Sequence, residues 1–68
     1  MFYIIQIVNT TEGVAKAITE QSTLDLAKME FHQILASAMA NENVSEALAM
    51  VISSSGAVYA NEYYKRAN

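Results

Sequence analysis

A nucleophilic centre needs a nucleophile, a base and a group that orients the base, and this chain of 68 residues offers one histidine, His32, as the base. Asp25, close to His32 in helical projection, and one of Ser53, Ser54 or Ser55 would complete a Ser-His-Asp set. No nucleophile-elbow glycines or other motif accompany those serines, so a solvated or edge-bonded helix histidine is the simpler reading. Paired carboxylates could come from Glu12, Glu20, Glu42, Glu46 or Glu62, and the same groups could loosely hold a divalent cation. They fall at strand ends and in loops, where acids ordinarily face water. Gly13 and Gly56 are isolated turn glycines, which leaves no loop to cradle a phosphate. With a single His and no Cys, a Cys-based or His-rich zinc site is excluded. The expectation is therefore no catalytic residue, no cofactor and no metal.

One cluster has the composition of a binding surface. Tyr59, Tyr63 and Tyr64 precede Lys65 and Arg66, and aromatic rings beside cations are how single-stranded nucleic acids are held. Tyrosine is equally favoured in strands and at protein interfaces, and a net charge of −3 argues against a surface built to neutralise phosphates. Met29, Met39 and Met50 suit an adaptable surface, and they suit a core as well.

The elements that must position these residues are legible from period and turn chemistry. Between Ser22 and Asn41, stepping roughly 100° per residue gathers Leu24, Ala27, Phe31, Ile34, Leu35 and Ala38 into one stripe, which predicts an amphipathic helix over residues 23–41. Ser22 or Thr23 can cap it, with Asp25 three residues after Ser22 resembling a capping box. An Asn at 41–43 can take the left-handed conformation that ends a helix. Residues 2–9 are rich in aromatic and β-branched side chains and predict a strand, with Tyr3, Ile5 and Ile7 on one face and Phe2, Ile4, Gln6 and Val8 on the other. Asn9 to Gly13 read as a hairpin loop of about five residues, leading to a strand over 14–20 whose Ala15, Ala17 and Thr19 form a small-residue face. Residues 44–52 have two readings. Asn43 and Glu46 could cap a second helix, or residues 47–53 and 57–64 could form a hairpin across Ser54-Ser55-Gly56. The β-rich Met50-Val51-Ile52 and the poor helix continuation after it favour the hairpin. Residues 65–68 read as a frayed tail. The resulting fold class is α+β, a ββαββ chain whose four-stranded antiparallel sheet carries one helix on one face.

On the residues FYIIQI at the start, AKAI in the second strand, FHQILASA in the helix and NEYY near the end, the chain resembles a group of small bacterial and mobile-element proteins with a ββαββ layout. That resemblance implies the hairpin reading of the last third. It implies no activity, ligand or site residue.

A single domain this short buries only about 60% of its unfolded surface, and without cysteine it has no disulfide to compensate. Its apolar runs are far below the ~20 residues a membrane-spanning helix needs, and the start of the chain lacks the basic and cleavage features of a signal peptide. Absence of cysteine fits a reducing compartment, and cytoplasmic residence is the default expectation. One helix can cover only one sheet face, yet both faces of the first strand are apolar and Leu26 and Met29 project off the helix stripe. The sequence thus predicts a non-enzymatic interaction module, most concretely a homodimer with room for an unidentified protein partner, using Phe2, Ile4, Val8, Leu26 and Met29. The alternative is a nucleic-acid binder using Tyr59, Tyr63, Tyr64, Lys65 and Arg66.

Overall fold

The computed structural model describes residues 1–67. Its elements run β1 (Phe2–Thr10), β2 (Gly13–Gln21), α1 (Leu24–Ala40), β3 (Val44–Ser53) and β4 (Val58–Lys65). The four strands form one antiparallel sheet in the order β2-β1-β3-β4. The architecture is ββαββ, with α1 laid on one sheet face, and the ambiguous segment after Asn43 is strand.

The first hairpin is tighter than its sequence suggests. Thr10 pairs with Gly13, so the connection is only Thr11-Glu12, and the Thr10 hydroxyl accepts from the Glu12 N–H at 3.1 Å. Gly13, at φ 130°, takes a conformation that a side chain would disfavour. This shortening shifts the register by one. A loop of residues 9–13 would set Val8 against Val14, whereas the structure sets Val8 against Ala15. A slip of one residue moves a strand's whole side-chain set to the opposite face.

The consequence reverses the expected faces of β1. Ile4, expected on an open face, is 1% exposed and belongs to the core with Ala27, Phe31, Leu35, Ala49 and Val51. Phe2 packs against that same core, and Val8 packs against Ala38, Val44 and Ala47. Small side chains decide the matter. Ala47 and Ala49 stand opposite Val8 and Gln6, and Ala15 and Ala17 flank them on β2, so the backbones of helix and sheet can approach closely on this side only.

The helix buries Ala27, Phe31, Leu35 and Ala38 of its stripe. Thr23 is the N-cap, its side chain accepting from the Leu26 N–H at 3.2 Å, so the Ser22/Asp25 capping box does not form. The other end corrects a second expectation. Asn41 is extended, at φ −95° and ψ 111°, rather than left-handed. The helix carbonyls are met from outside the helix. Arg66 donates through Nη2 to the carbonyls of Ala38, Met39 and Asn41 at 3.2, 3.0 and 2.9 Å, and through Nε to Val44 at 2.9 Å. No basic residue lies in the last turn of α1, so this guanidinium is also the cation that the helix dipole favours there. Of the residues expected in a frayed tail, Lys65 instead ends β4 and Arg66, just beyond the strand, braces the helix; Asn68 lies outside the described residues.

Candidate functional site

The sheet face away from α1 carries the other half of each alternation. Across the register its rows are Glu20-Tyr3-Ile52-Val58, Ile18-Ile5-Met50-Asn61, Lys16-Ile7-Leu48-Tyr63 and Val14-Asn9-Glu46-Lys65. The centre is apolar and the charges sit at corners and edges. Ile18 is 69% exposed and Val58 57%, far above what side chains of this size ordinarily show in a packed layer. Two shallow grooves cross the face. One of about 460 Å³ runs between Ile5, Ile7, Lys16 and Ile18, and one of about 240 Å³ lies between Ile7, Leu48, Glu46 and Tyr63.

A polar row closes one end of the face. The Asn9 amide donates to Glu46 Oε1 at 2.7 Å, and the Tyr63 hydroxyl donates to Glu46 Oε2. Those two donors, the tyrosine above all, hold the Glu46 carboxyl below its ordinary value of 4.5, and the same bond raises Tyr63 above 10.0. This network fixes the orientation of three side chains at one end of a surface whose centre is apolar.

Nothing comparable is assembled from the other candidates. His32 is exposed on α1, its ring edge-on to Phe31 with centroids 5.2 Å apart. The neighbouring groove of about 400 Å³ is open and is lined by Phe31, His32, Leu35, Ala36, Met39 and Glu62, with neither Asp25 nor a serine beside the imidazole. Ser53 and Ser55 bond each other at 2.8 Å, and the Ser54 hydroxyl donates to the Met1 carbonyl at 2.9 Å, so all three serve the β3-β4 loop. Among the described residues no three His, Cys, Asp or Glu side chains converge as metal ligands.

The aromatic and basic cluster is dispersed. Tyr59 is the extra residue of a bulge in β4, and its ring meets Phe2 edge-on at 5.5 Å. Tyr63 lies on the free face, whereas Tyr64 is half-buried against the core on the helix side, with the Arg66 guanidinium 5.6 Å from its ring centre. These residues do not share one surface, and Arg66 is occupied by main-chain carbonyls. Leu26 and Met29, 40% and 52% exposed, stand on the outside of α1, so the structure does not bring them together with the free sheet face. Nor does it bring Phe2, Ile4 or Val8 there.

The residues missed by sequence reasoning are Tyr3, Ile5, Ile7, Ile18, Leu48, Met50 and Ile52. A signal for them existed in the alternation of alanine with larger residues in β2 and β3, because alanine marks the side a helix can approach. Compared with known protein families, curated proteins and solved structures, the chain matches none. No helix among the described residues is long and apolar enough to cross a membrane.

Proposed function

We propose that the chain is a non-enzymatic interaction module that works as a homodimer, burying the sheet face opposite α1 against a second copy. The observation that carries this reading is the continuous apolar centre formed by Tyr3, Ile5, Ile7, Ile18, Leu48, Met50 and Ile52 on a face that no element among the described residues covers. Four strands spaced ~4.8 Å apart and rising ~3.3 Å per residue give that face an area on the order of 500 Å². That is roughly a tenth of the total surface of 4425 Å². Two copies together would remove about 1,000 Å² from water, the lower bound of a specific interface. Sheet-on-sheet packing suits the long side chains of this face, which interdigitate at a layer spacing of ~10 Å. Cytoplasmic residence, the default for a cysteine-free chain of this composition, belongs to the same proposal.

Light scattering on the purified chain tests it directly. The chain should be larger than a monomer at micromolar concentration, and Ile5→Lys should weaken the assembly at least tenfold while leaving the circular dichroism spectrum unchanged. A monomer at high micromolar concentration would sink the reading. Salt-sensitive capture of a single-stranded oligonucleotide, lost on neutralising Lys65, would favour nucleic-acid binding instead.

A further inference from the structure

The two edges of the sheet are built differently, and the β2 edge is the one left open. β4 is interrupted by the bulge at Tyr59, which breaks its register with β3. β2 pairs with β1 without interruption over nine residues and has no bulge, no proline and only one lysine.

Hydrogen-bond parity shows which backbone groups of β2 point outward. The Arg66 N–H donates to the Ser45 carbonyl at 2.8 Å, and the Ser54 N–H donates to the Met1 carbonyl at 3.1 Å. Odd-numbered residues of β3 therefore turn their polar groups to β4 and even-numbered ones to β1. Because direction alternates along every strand, Tyr3, Ile5 and Ile7 face β3, while Phe2, Ile4, Gln6 and Val8 face β2. Their partners are Gln21, Thr19, Ala17 and Ala15. The groups of Val14, Lys16, Ile18 and Glu20 are left for the open edge. The two-residue turn closed by Thr10 and Gly13 gives the same parity.

We infer that this edge recognises itself: β2 pairs antiparallel with β2 of a second copy, about a two-fold axis at Ile18. In that register Ile18 meets Ile18 of the partner subunit, and Lys16 stands opposite Glu20 of the partner subunit, twice by symmetry. Within its own sheet each of these charges has only an apolar or aromatic neighbour, Lys16 beside Ile7 and Glu20 beside Tyr3. A two-residue slide in either direction sets Lys16 or Glu20 opposite Ile18 of the partner subunit and loses both opposite-charge pairs, and a four-residue slide sets Lys16 or Glu20 on its own copy. The charges therefore select one register. Ile18 at the axis is also the most exposed large apolar side chain among those described, at 69%. The three central pairs exchange about six main-chain hydrogen bonds.

The axis stands perpendicular to the sheet, so both helices lie on one side and both free faces on the other, forming a single layer of eight strands. On the helix side Ala15, Ala17 and Thr19 are short and present no obstacle. This pairing rests on the self-association proposed above and adds a second contact to it. Where the edge and the face both associate, the smallest closed assembly holds four chains in two layers.

The chain has no cysteine, so single-cysteine variants report register cleanly. Ile18→Cys should cross-link to itself under mild oxidation, and Val14→Cys should not. In the Ile5→Lys background, where the face contact is weakened, a dimer held by β2 should persist. Lys16→Glu or Glu20→Lys should each weaken that dimer about tenfold, and the double exchange should restore it. Ile18→Pro removes an outward N–H without touching the β1-β2 ladder and should abolish it. A wild-type multimer with no cross-link at 18, or an Ile5→Lys variant that is monomeric and folded, overturns the edge pairing and leaves the face contact standing. So does a double charge exchange that fails to restore the dimer. A wild-type monomer overturns both.

Discussion

The two faces of this sheet carry similar numbers of apolar residues and differ in the size of those residues. The covered face sets Ala15, Ala17, Ala47, Ala49 and Ala60 around Ile4, Val8 and Val51, and α1 answers with Ala27 and Ala38. The free face sets isoleucine, leucine, methionine and tyrosine side by side. A helix needs a shallow bed, since its own side chains supply the thickness of the layer. A second sheet can interlock with taller residues. The contrast teaches that side-chain volume, rather than hydrophobicity alone, decides which face an intramolecular helix takes and which is left uncovered.

The largest effect should come from exchanging the faces' roles at neighbouring positions. Ile4→Ala opens a cavity beneath α1 and should cost about 3 kcal/mol in denaturant unfolding. Ile5→Ala should cost about 1 kcal/mol within a single chain, because its side chain is only half-buried there. Its main effect should be on assembly. Equal losses in unfolding free energy would erase the distinction between the faces.

A smaller effect tests how the covered face is held in place. Arg66→Ala removes the guanidinium donors from the carbonyls of Ala38, Met39, Asn41 and Val44, leaving Asn41 only the Val44 N–H, and should lower stability by about 1–2 kcal/mol. Hydrogen exchange should rise first in the last turn of α1. Arg66→Lys should recover only part of the loss, since an ammonium cannot span four carbonyls as a planar fork does. Unchanged exchange in that turn would mean that water serves those carbonyls equally well.

The smallest effect concerns the polar row of the free face. Glu46 has its folded pKa lowered by Tyr63 and Asn9, so its contribution is present above its ordinary value of 4.5 and is lost as pH falls through the depressed folded value. Tyr63 has its folded pKa raised, so its contribution is present below 10.0 and is lost as pH climbs past the raised value. The stability gap between the wild type and Glu46→Gln should therefore be widest near neutrality and should shrink as pH falls below the ordinary value of 4.5. A gap independent of pH would show that the row is not held by the ionised carboxylate.

Much of the fold was legible because local chemistry agreed with itself. The α1 stripe repeats at helical period, the β1 run is dense in β-branched residues, and Ser-Ser-Gly breaks any helix before β4. The face of the site was not legible, because it hung on the length of a single turn. Thr10 and Gly13 could equally have belonged to a longer loop, and that difference of one register step moved Ile4 from surface to core. The cap of α1 was hidden for another reason. Arg66 lies 25 residues from Asn41 and carries no local signal for a helix it does not belong to.

By itself the sequence determined four strands and a helix, which residues of each element share a side, and an excess of apolar surface over what one helix can cover. Periodicity and turn propensity are properties of neighbours along the chain, so they can be read there. Tertiary structure decided which side of β1 the helix occupies, what closes the end of that helix, and which edge of the sheet remains open. Those outcomes depend on register and on side chains meeting across long separations, where a shift of one residue exchanges inside for outside.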